Sequence, residues 1–318
     1  MDKSASFEIT YFGMNTEIAH KAFGRHGKEA LRAVDMEAKR LEHMLSRFLP
    51  GSDVYRINSF AGMSCQKINS ETYEILLKAI EISRSSQGLF DITIGPLADL
   101  WDFKNASEPP EAARLRQLLP LVDYRDLEVD TAKRRAGLRK SGQSVDLGGI
   151  GKGYAGDRFI EIFKEYGIVS AFSNIGGNVS TLGIKPDGSP WRVGIRHPRQ
   201  SGLLGAVEVK DRSVVTSGDY ERYFMGPEGR RYHHILDPVT GYPSKSGLIS
   251  VTVVADSAMT ADALSTAIFV AGLDKGLAIL EKYPGVEAVL VDEELKVYAT
   301  GKMQGCFYYA GEISTKFL

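Results

Sequence analysis

The segment Asp146-Leu147-Gly148-Gly149-Ile150-Gly151-Lys152-Gly153-Tyr154-Ala155-Gly156-Asp157 holds five glycines within nine residues, with a lysine between two of them and an aspartate at each end. Glycine admits positive φ and lets a ligand approach the main chain. Ahead of a helical pattern, such a run can cradle an anion on free N–H groups and a helix N-terminus. The alternative is a glycine-rich turn with no ligand. Gly151–Gly156 formally fits G-x-G-x-x-G, but its context does not suit a dinucleotide site. The preceding Gly142-Gln143-Ser144-Val145-Asp146 is too polar and short for the required buried strand. The next strand ends in Asn174-Ile175-Gly176-Gly177 without the acid that would hold a ribose. A phosphate-loop lysine precedes Ser or Thr, whereas Lys152 precedes Gly153. Phosphate binding of a non-standard kind is what survives.

Three other segments carry candidate chemistry. In Asp262-Ala263-Leu264-Ser265-Thr266 a carboxylate and a hydroxyl share one helix face, and both are hard oxygen donors that Mg²⁺ accepts beside water or phosphate. Alternatively, Asp262 answers its helix dipole and Thr266 bonds back to the carbonyl four residues earlier. In His233-His234-Ile235-Leu236-Asp237-Pro238-Val239-Thr240-Gly241 a histidine beside a bound anion can serve as general base. The competing reading is one outward and one packed histidine, with Asp237 capping the turn. Phe90-Asp91-Ile92-Thr93-Ile94-Gly95-Pro96-Leu97, followed by Trp101, sets an acid among apolar groups, which suits a flat heterocycle. Equally, Asp91 can be a buried acid satisfied by backbone N–H groups.

Strands are expected at Phe7–Met14 and Thr16–Ala22, meeting around Gly13–Asn15, and a helix from about Lys28 to Leu45 with apolar Leu31, Val34, Ala38, Leu41 and Leu45. Pro50–Asp53 reads as a turn, and Asn69 or Ser70 caps a helix ending near Gly88. A short buried helix follows Pro96, then a polar excursion over Asn105–Leu119. The glycine run opens a helix to about Tyr166, followed by a strand at Ile168–Ser173 and short strands from Val179 to His234. A strand at Leu248–Ala255, helices at Ala258–Ala271 and about Lys275–Tyr283, and two closing strands complete the pattern. No βαβ repeat and no linker is evident. The expectation is therefore an α+β fold: one compact mixed unit of two intimate lobes spanning residues 1–318.

The 318 residues are 43% apolar and 25% charged with net charge −1, so no global field steers the chain to nucleic acid. Cys65 and Cys306 share no metal-ligand spacing. No apolar run reaches membrane-spanning length. Met1–Ser6 has no signal-like apolar core, which points to a cytoplasmic chain or to a mature exported form whose signal is gone.

Taken in order, these segments resemble the ApbE family of FAD:protein FMN transferases. The matching pieces are Gly13-Met14-Asn15-Thr16, Leu45-Ser46-Arg47-Phe48 through Asn58, Phe90 through Leu97 with Leu100-Trp101, and Asp146 through Tyr154. They continue with Asn174–Gly177, Thr216-Ser217-Gly218-Asp219-Tyr220, His234 through Gly241, and Ala261 through Ala267. The family commonly has Met-Gly-Thr where this chain has Met14-Asn15-Thr16, and an Asn can serve the same tight turn. Many exported members carry an N-terminal signal or lipidation cysteine that this sequence lacks.

The resemblance implies an ApbE-like fold and an enzyme that takes FAD as substrate with Mg²⁺. It would attach FMN through a phosphoester to a Ser or Thr of an acceptor protein and release AMP. It implies Asp262, Thr266 and the Gly149 carbonyl as metal ligands, and His234 as base. Met14, Phe48, Leu89, Phe90, Asp91, Asp146, Lys152 and Leu236 would line the FAD site. Two other readings stay open: a Mg²⁺-dependent FAD pyrophosphatase releasing FMN and AMP, and a flavin-binding protein without chemistry.

Overall fold

The computed structural model describes residues 5–310 and 315–318; Met1–Ser4, read above for an export signal, lie outside the described residues. The chain opens with β1 (Ser6–Gly13) and β2 (Thr16–Phe23), paired antiparallel from Ser6 opposite Phe23 to Gly13 opposite Thr16. Met14 and Asn15 form the two-residue turn at φ 50° and 61°. That type I′ geometry favours Gly or Asn, so Asn15 fills a glycine's place at low cost.

Helix α1 (Gly27–Leu45) buries the expected stripe of Leu31, Val34, Ala38, Leu41 and Leu45. Next come α2 (Asp53–Ser59), β3 (Gln66–Lys67), α3 (Ser70–Ser85), α4 (Gly95–Trp101), α5 (Ala112–Leu118), β4 (Leu127–Asp130) and β5 (Arg135–Leu138). The sequence reading lacked α2 and the small β3–β5–β4 sheet. Seven residues are too few for a periodicity to emerge, and α2 is set by its ends. The Ser52 hydroxyl accepts from the Tyr55 N–H at 2.9 Å. The buried Asp53 accepts from the Asn69 N–H at 2.7 Å and the Thr72 hydroxyl at 2.6 Å. The side chain of Asn69, expected to cap α3, instead donates to Asp53 at 3.0 Å.

Helix α6 (Gly151–Glu165) leads into β6 (Ser170–Ile175) and β7 (Asn178–Leu182), followed by β8 (Trp191–Arg196), β9 (Leu203–Val209) and β10 (Ser213–Gly218). The hairpin of β11 (Tyr223–Met225) and β12 (Arg231–His233) precedes β13 (Leu248–Ala255) and α7 (Ala258–Ala271), whose limits match those expected. The chain ends in α8 (Leu273–Leu280), β14 (Glu287–Asp292), β15 (Val297–Ala299), β16 (Phe307–Tyr309) and β17 (Thr315–Phe317), more strands than the two anticipated.

Among the described residues, nine strands form the main sheet in the order β1-β2-β6-β7-β10-β13-β14-β15-β17. All neighbours are antiparallel except β15 and β17, which excludes a parallel dinucleotide-binding sheet. Helices α1, α6 and α7 share a core with one face of this sheet. The β16-β9-β8 sheet shares a second core with the other face. Strand β13 is consequently buried along its whole length, with Val251 and Val253 in the helix-side core and Ile249 and Val254 in the other. A third, aromatic core of Leu97, Trp101, Leu115, Tyr232 and Leu236 ties α4 and α5 to the β11–β12 hairpin. The Trp101 indole N–H donates to the Gly241 carbonyl there at 2.8 Å. No helix among the described residues is long and apolar enough to cross a membrane.

Buried histidines make this fold acid-sensitive, and His20 is the one on the main sheet. His20 is 1% exposed, with Nδ1 2.7 Å from the Ser173 hydroxyl and Nε2 3.0 Å from the Tyr11 hydroxyl. Burial pushes its pKa down to about 4 against a weaker upward pull from Asp35. The unfolded chain therefore binds more protons below the ordinary histidine value. Stability is complete above pH 6.5 and is lost as pH falls toward 4, by about 3 kcal/mol for this residue. Urea unfolding at pH 7 and pH 4.5 is expected to show the loss, and His20→Gln to remove only part of the difference between the two pH values, because His233 and His234 are also held below the ordinary histidine value by burial.

Candidate active site

Helices α6 and α7 cap each other. Asp157 on α6 accepts from the N–H groups of Ala258 (2.6 Å) and Met259 (3.0 Å) and from the Ser257 hydroxyl (2.8 Å) at the start of α7. Asp262 on α7 accepts from the Gly153 N–H at 2.9 Å, one of the free donors in the first turn of α6. Asp157, which closes the glycine run, is thus a cap and no part of a ligand site. Asp262 serves the dipole of the neighbouring helix rather than that of its own.

The glycines divide in the same way. None of the five in the run has positive φ; they permit close approach instead. A Cβ on Gly153 would collide with the Ala258 carbonyl and lie 2.7 Å from Asp262 Cβ. A Cβ on Gly156 would lie 2.7 Å from the Ser180 hydroxyl and 3.2 Å from Ala258 Cβ. These two glycines set the distance between α6 and α7. Gly153→Ala should cost about 3 kcal/mol by forcing the helices apart, measured by urea unfolding against Gly151→Ala, whose Cβ would meet nothing nearer than 3.7 Å.

Gly149 faces the candidate site. A Cβ there would fill a cradle, 3.4 Å from the Thr266 hydroxyl and 3.2 Å from the Phe90 ring. Thr266 is not bonded back to its own helix. Its hydroxyl lies 3.3 Å from that of Ser217, and it is Ser265 that donates to the Asp262 carbonyl, at 2.8 Å. The structure therefore brings together the carboxylate of Asp262, the hydroxyl of Thr266 and the main chain at Gly149. Of the Asp262 oxygens, Oδ2 is used by Gly153, while Oδ1 faces the Lys152 ammonium at 3.5 Å. Among the described residues there is no cluster of three His, Cys, Asp or Glu. This donor set is all oxygen and carries one buried negative charge, which fits a hard divalent cation and not a thiolate or imidazole metal.

The two adjacent histidines have different surroundings. His233 is packed: Nε2 lies 3.1 Å from the Ser244 carbonyl and the ring meets Phe269 edge-on at 5.5 Å. Among the described residues the Nδ1 of neither histidine has a hydrogen-bond partner. His234, directly after His233, is half-buried. Burial, then the charges of Arg222, His233 and Lys152, lower its pKa to about 3, so the imidazole is neutral at physiological pH. The backbone N–H of His234 donates to the Arg222 carbonyl at 3.0 Å, and the Arg222 guanidinium reaches the Asn15 carbonyl at 3.4 Å. Met14, beside that turn, is linked to the histidine by this arginine. Asp237 only caps its turn, accepting from the Val239 N–H at 2.8 Å and the Thr240 hydroxyl at 3.1 Å.

Asp146 is held at its place by accepting from the Gly148 N–H at 2.7 Å and from Arg47 at 2.8 Å. Arg47 also reaches Asp99 at 2.5 Å, and its cation lies 5.4 Å from the ring of Phe48, which is 75% exposed. Phe90 is buried at the Gly149 cradle, and Leu89 is half-buried against the main core. Leu236 packs in the aromatic core. Asp91 differs from its neighbours. Both its oxygens are spent internally, on the Thr93 N–H and hydroxyl and on the Tyr124 N–H, each at 2.7 Å. Burial raises its pKa while those bonds lower it. What Asp91 offers a ligand is main chain, not the carboxylate that suggested a heterocycle edge.

Sequence reasoning passed over three residues, all inside segments it had singled out. Arg47 anchors Asp146. Ser217 orients Thr266. Asp219 binds the Arg199 guanidinium with both oxygens at 2.7 Å and Arg231 at 3.3 Å, and so ties down the hairpin that leads to His234.

A model of the ApbE family matches residues 7–290. This chain belongs to the ApbE family. A protein named FAD:protein FMN transferase from Treponema pallidum is 34% identical over 288 residues, covering 85% of this chain and 79% of that one. One of the same name from Klebsiella pneumoniae is 34% identical over 256 residues, covering 80% and 79%. Among solved structures, the ApbE protein of Thermotoga maritima matches with TM-score 0.87 at 33% identity, covering 94% of this chain and 98% of its own. The structure titled flavin transferase ApbE from Vibrio cholerae matches with TM-score 0.86 at 26% identity, covering 95% and 99%. The mixed α/β architecture is thus that of the ApbE structures, as expected from the order of motifs.

Proposed function

We propose that this protein transfers FMN from FAD to a Ser or Thr hydroxyl of an acceptor protein, with Mg²⁺, releasing AMP. The observation that carries the reading is the meeting of Asp262, Thr266 and Gly149, 113 to 117 residues apart in sequence, beside a lysine whose charge is felt by a free, neutral histidine. Two of its relatives are named FAD:protein FMN transferase.

Asp262 Oδ1, the Thr266 hydroxyl and the Gly149 carbonyl would hold Mg²⁺, which when bound would neutralise diphosphate charge and stabilise the leaving AMP. Lys152 would pair with a phosphate as a point charge. The exposed ring of Phe48 would offer apolar surface to the flavin, with Phe90 buried behind the Gly149 cradle. The acceptor hydroxyl oxygen attacks the FMN phosphorus, the bond from that phosphorus to the oxygen of AMP breaks, and the hydroxyl proton passes to His234. Bound diphosphate would offset the Arg222 and Lys152 charges that depress His234, raising its basicity when substrate is in place.

The test is incubation with FAD, Mg²⁺ and a candidate acceptor, followed by mass spectrometry of the intact acceptor. A mass gain equal to an FMN phosphoryl group is expected. Free FMN and AMP with an unlabelled acceptor would point to the pyrophosphatase, and intact FAD to a flavin-binding protein.

A further inference from the structure

We propose that Lys152 is a built-in counter-cation of Asp262 which a divalent ion must displace, so that the cation site stays weak until a phosphate draws the lysine away. The inference rests on the proposed cation role of Asp262.

Lys152 lies in the first turn of α6, where the helix dipole disfavours positive charge. Its ammonium folds back nonetheless, donating to the Gly148 carbonyl at 2.9 Å and standing 3.5 Å from Asp262 Oδ1. The Asp262 side chain is 5% exposed. Its Oδ2 has the Gly153 N–H, whereas among the described residues Oδ1 has this ammonium as its sole charged neighbour. A buried carboxylate requires such compensation, and the lysine provides it at a distance too long for a good hydrogen bond.

A divalent cation on Asp262 Oδ1, Thr266 and the Gly149 carbonyl competes for that same oxygen, and two cations within a few ångströms repel strongly at low dielectric. Lys152 has the means to leave: its side chain is 26% exposed on a flexible stem. A diphosphate offers the departing ammonium a new partner. Cation and phosphate ligand therefore favour each other's binding, with the coupling carried by one side chain. A merely structural lysine makes the opposite prediction, since its loss would loosen the loop and weaken the cation.

The probe is Mn²⁺ alone, titrated into the full chain without FAD and followed by the electron paramagnetic resonance signal of free Mn²⁺. Lys152→Met and Lys152→Gln are each expected to bind Mn²⁺ at least tenfold tighter than the unaltered protein, Lys152→Arg to bind it no tighter, and Asp262→Ala to lose it. Circular dichroism checks that each variant is folded, and the Gln variant serves if the Met variant is not. If Asp262→Ala loses Mn²⁺ while both neutral variants bind it no tighter than the unaltered protein, the counter-cation role falls and the cation site stands. If no form binds Mn²⁺, both fall.

Discussion

Replacing Asp262 by alanine is expected to lower FMN transfer by about a thousandfold or more, corresponding to about 4 kcal/mol of lost charge stabilisation in the transition state. The same change should lower folding stability by about 1 kcal/mol. It removes the acceptor of the Gly153 N–H at the start of α6. These two effects separate with Asp262→Asn. The amide oxygen of Asn can still accept from Gly153, so stability returns, but the charge does not, so transfer stays low. Labelling rate and urea unfolding measured on both variants check this. An Asn variant that recovers transfer together with stability would reduce Asp262 to a helix cap.

His234→Ala should slow transfer by about 10² to 10⁴, the usual worth of a positioned base, while leaving FAD affinity within a few-fold. The pH profile gives an independent check. The free protein holds His234 neutral because burial and the nearby Arg222, His233 and Lys152 lower its pKa to about 3. The acid limb of kcat/KM, which reports the free enzyme, should therefore lie below pH 5 rather than near the ordinary histidine value of about 6.5. The assays must be short, because the acid loss of stability carried by His20, His233 and His234 begins in the same range. A limb near pH 6.5, or an alanine variant within tenfold of the unaltered protein, would remove His234 from the role.

The packed histidine shows what sequence could not decide. His233 and His234 are adjacent and chemically identical, and strand alternation alone says that they face opposite ways. Which one is spent on packing depends on Ser244 and Phe269, brought alongside by β13, α7 and the turn at Gly241. Asp91 and Asp157 are similar cases. Each looked like a ligand group by type and position, and each is consumed by N–H groups distant in sequence: Tyr124 for one, Ala258 and Met259 for the other. A carboxylate's function follows from what already occupies its oxygens, and that is a tertiary fact.

The order of motifs, the long amphipathic α1, the uniformly apolar β13 and the span of α7 were legible from the chain, because period and composition are local properties. So was the two-residue turn at Met14-Asn15, since Asn tolerates positive φ. The pairing of Asp262 with Thr266 was legible as well, because residues four apart on a helix share a face. What the amino-acid order left open was the purpose of the glycine run. It carries no positive φ, and Gly153 and Gly156 are there so that α6 can lie against α7. Only that contact places Gly149 beside Thr266 and Lys152 beside Asp262, because the distance between two helices is set by the side chains that both contribute, and neither segment contains that information alone.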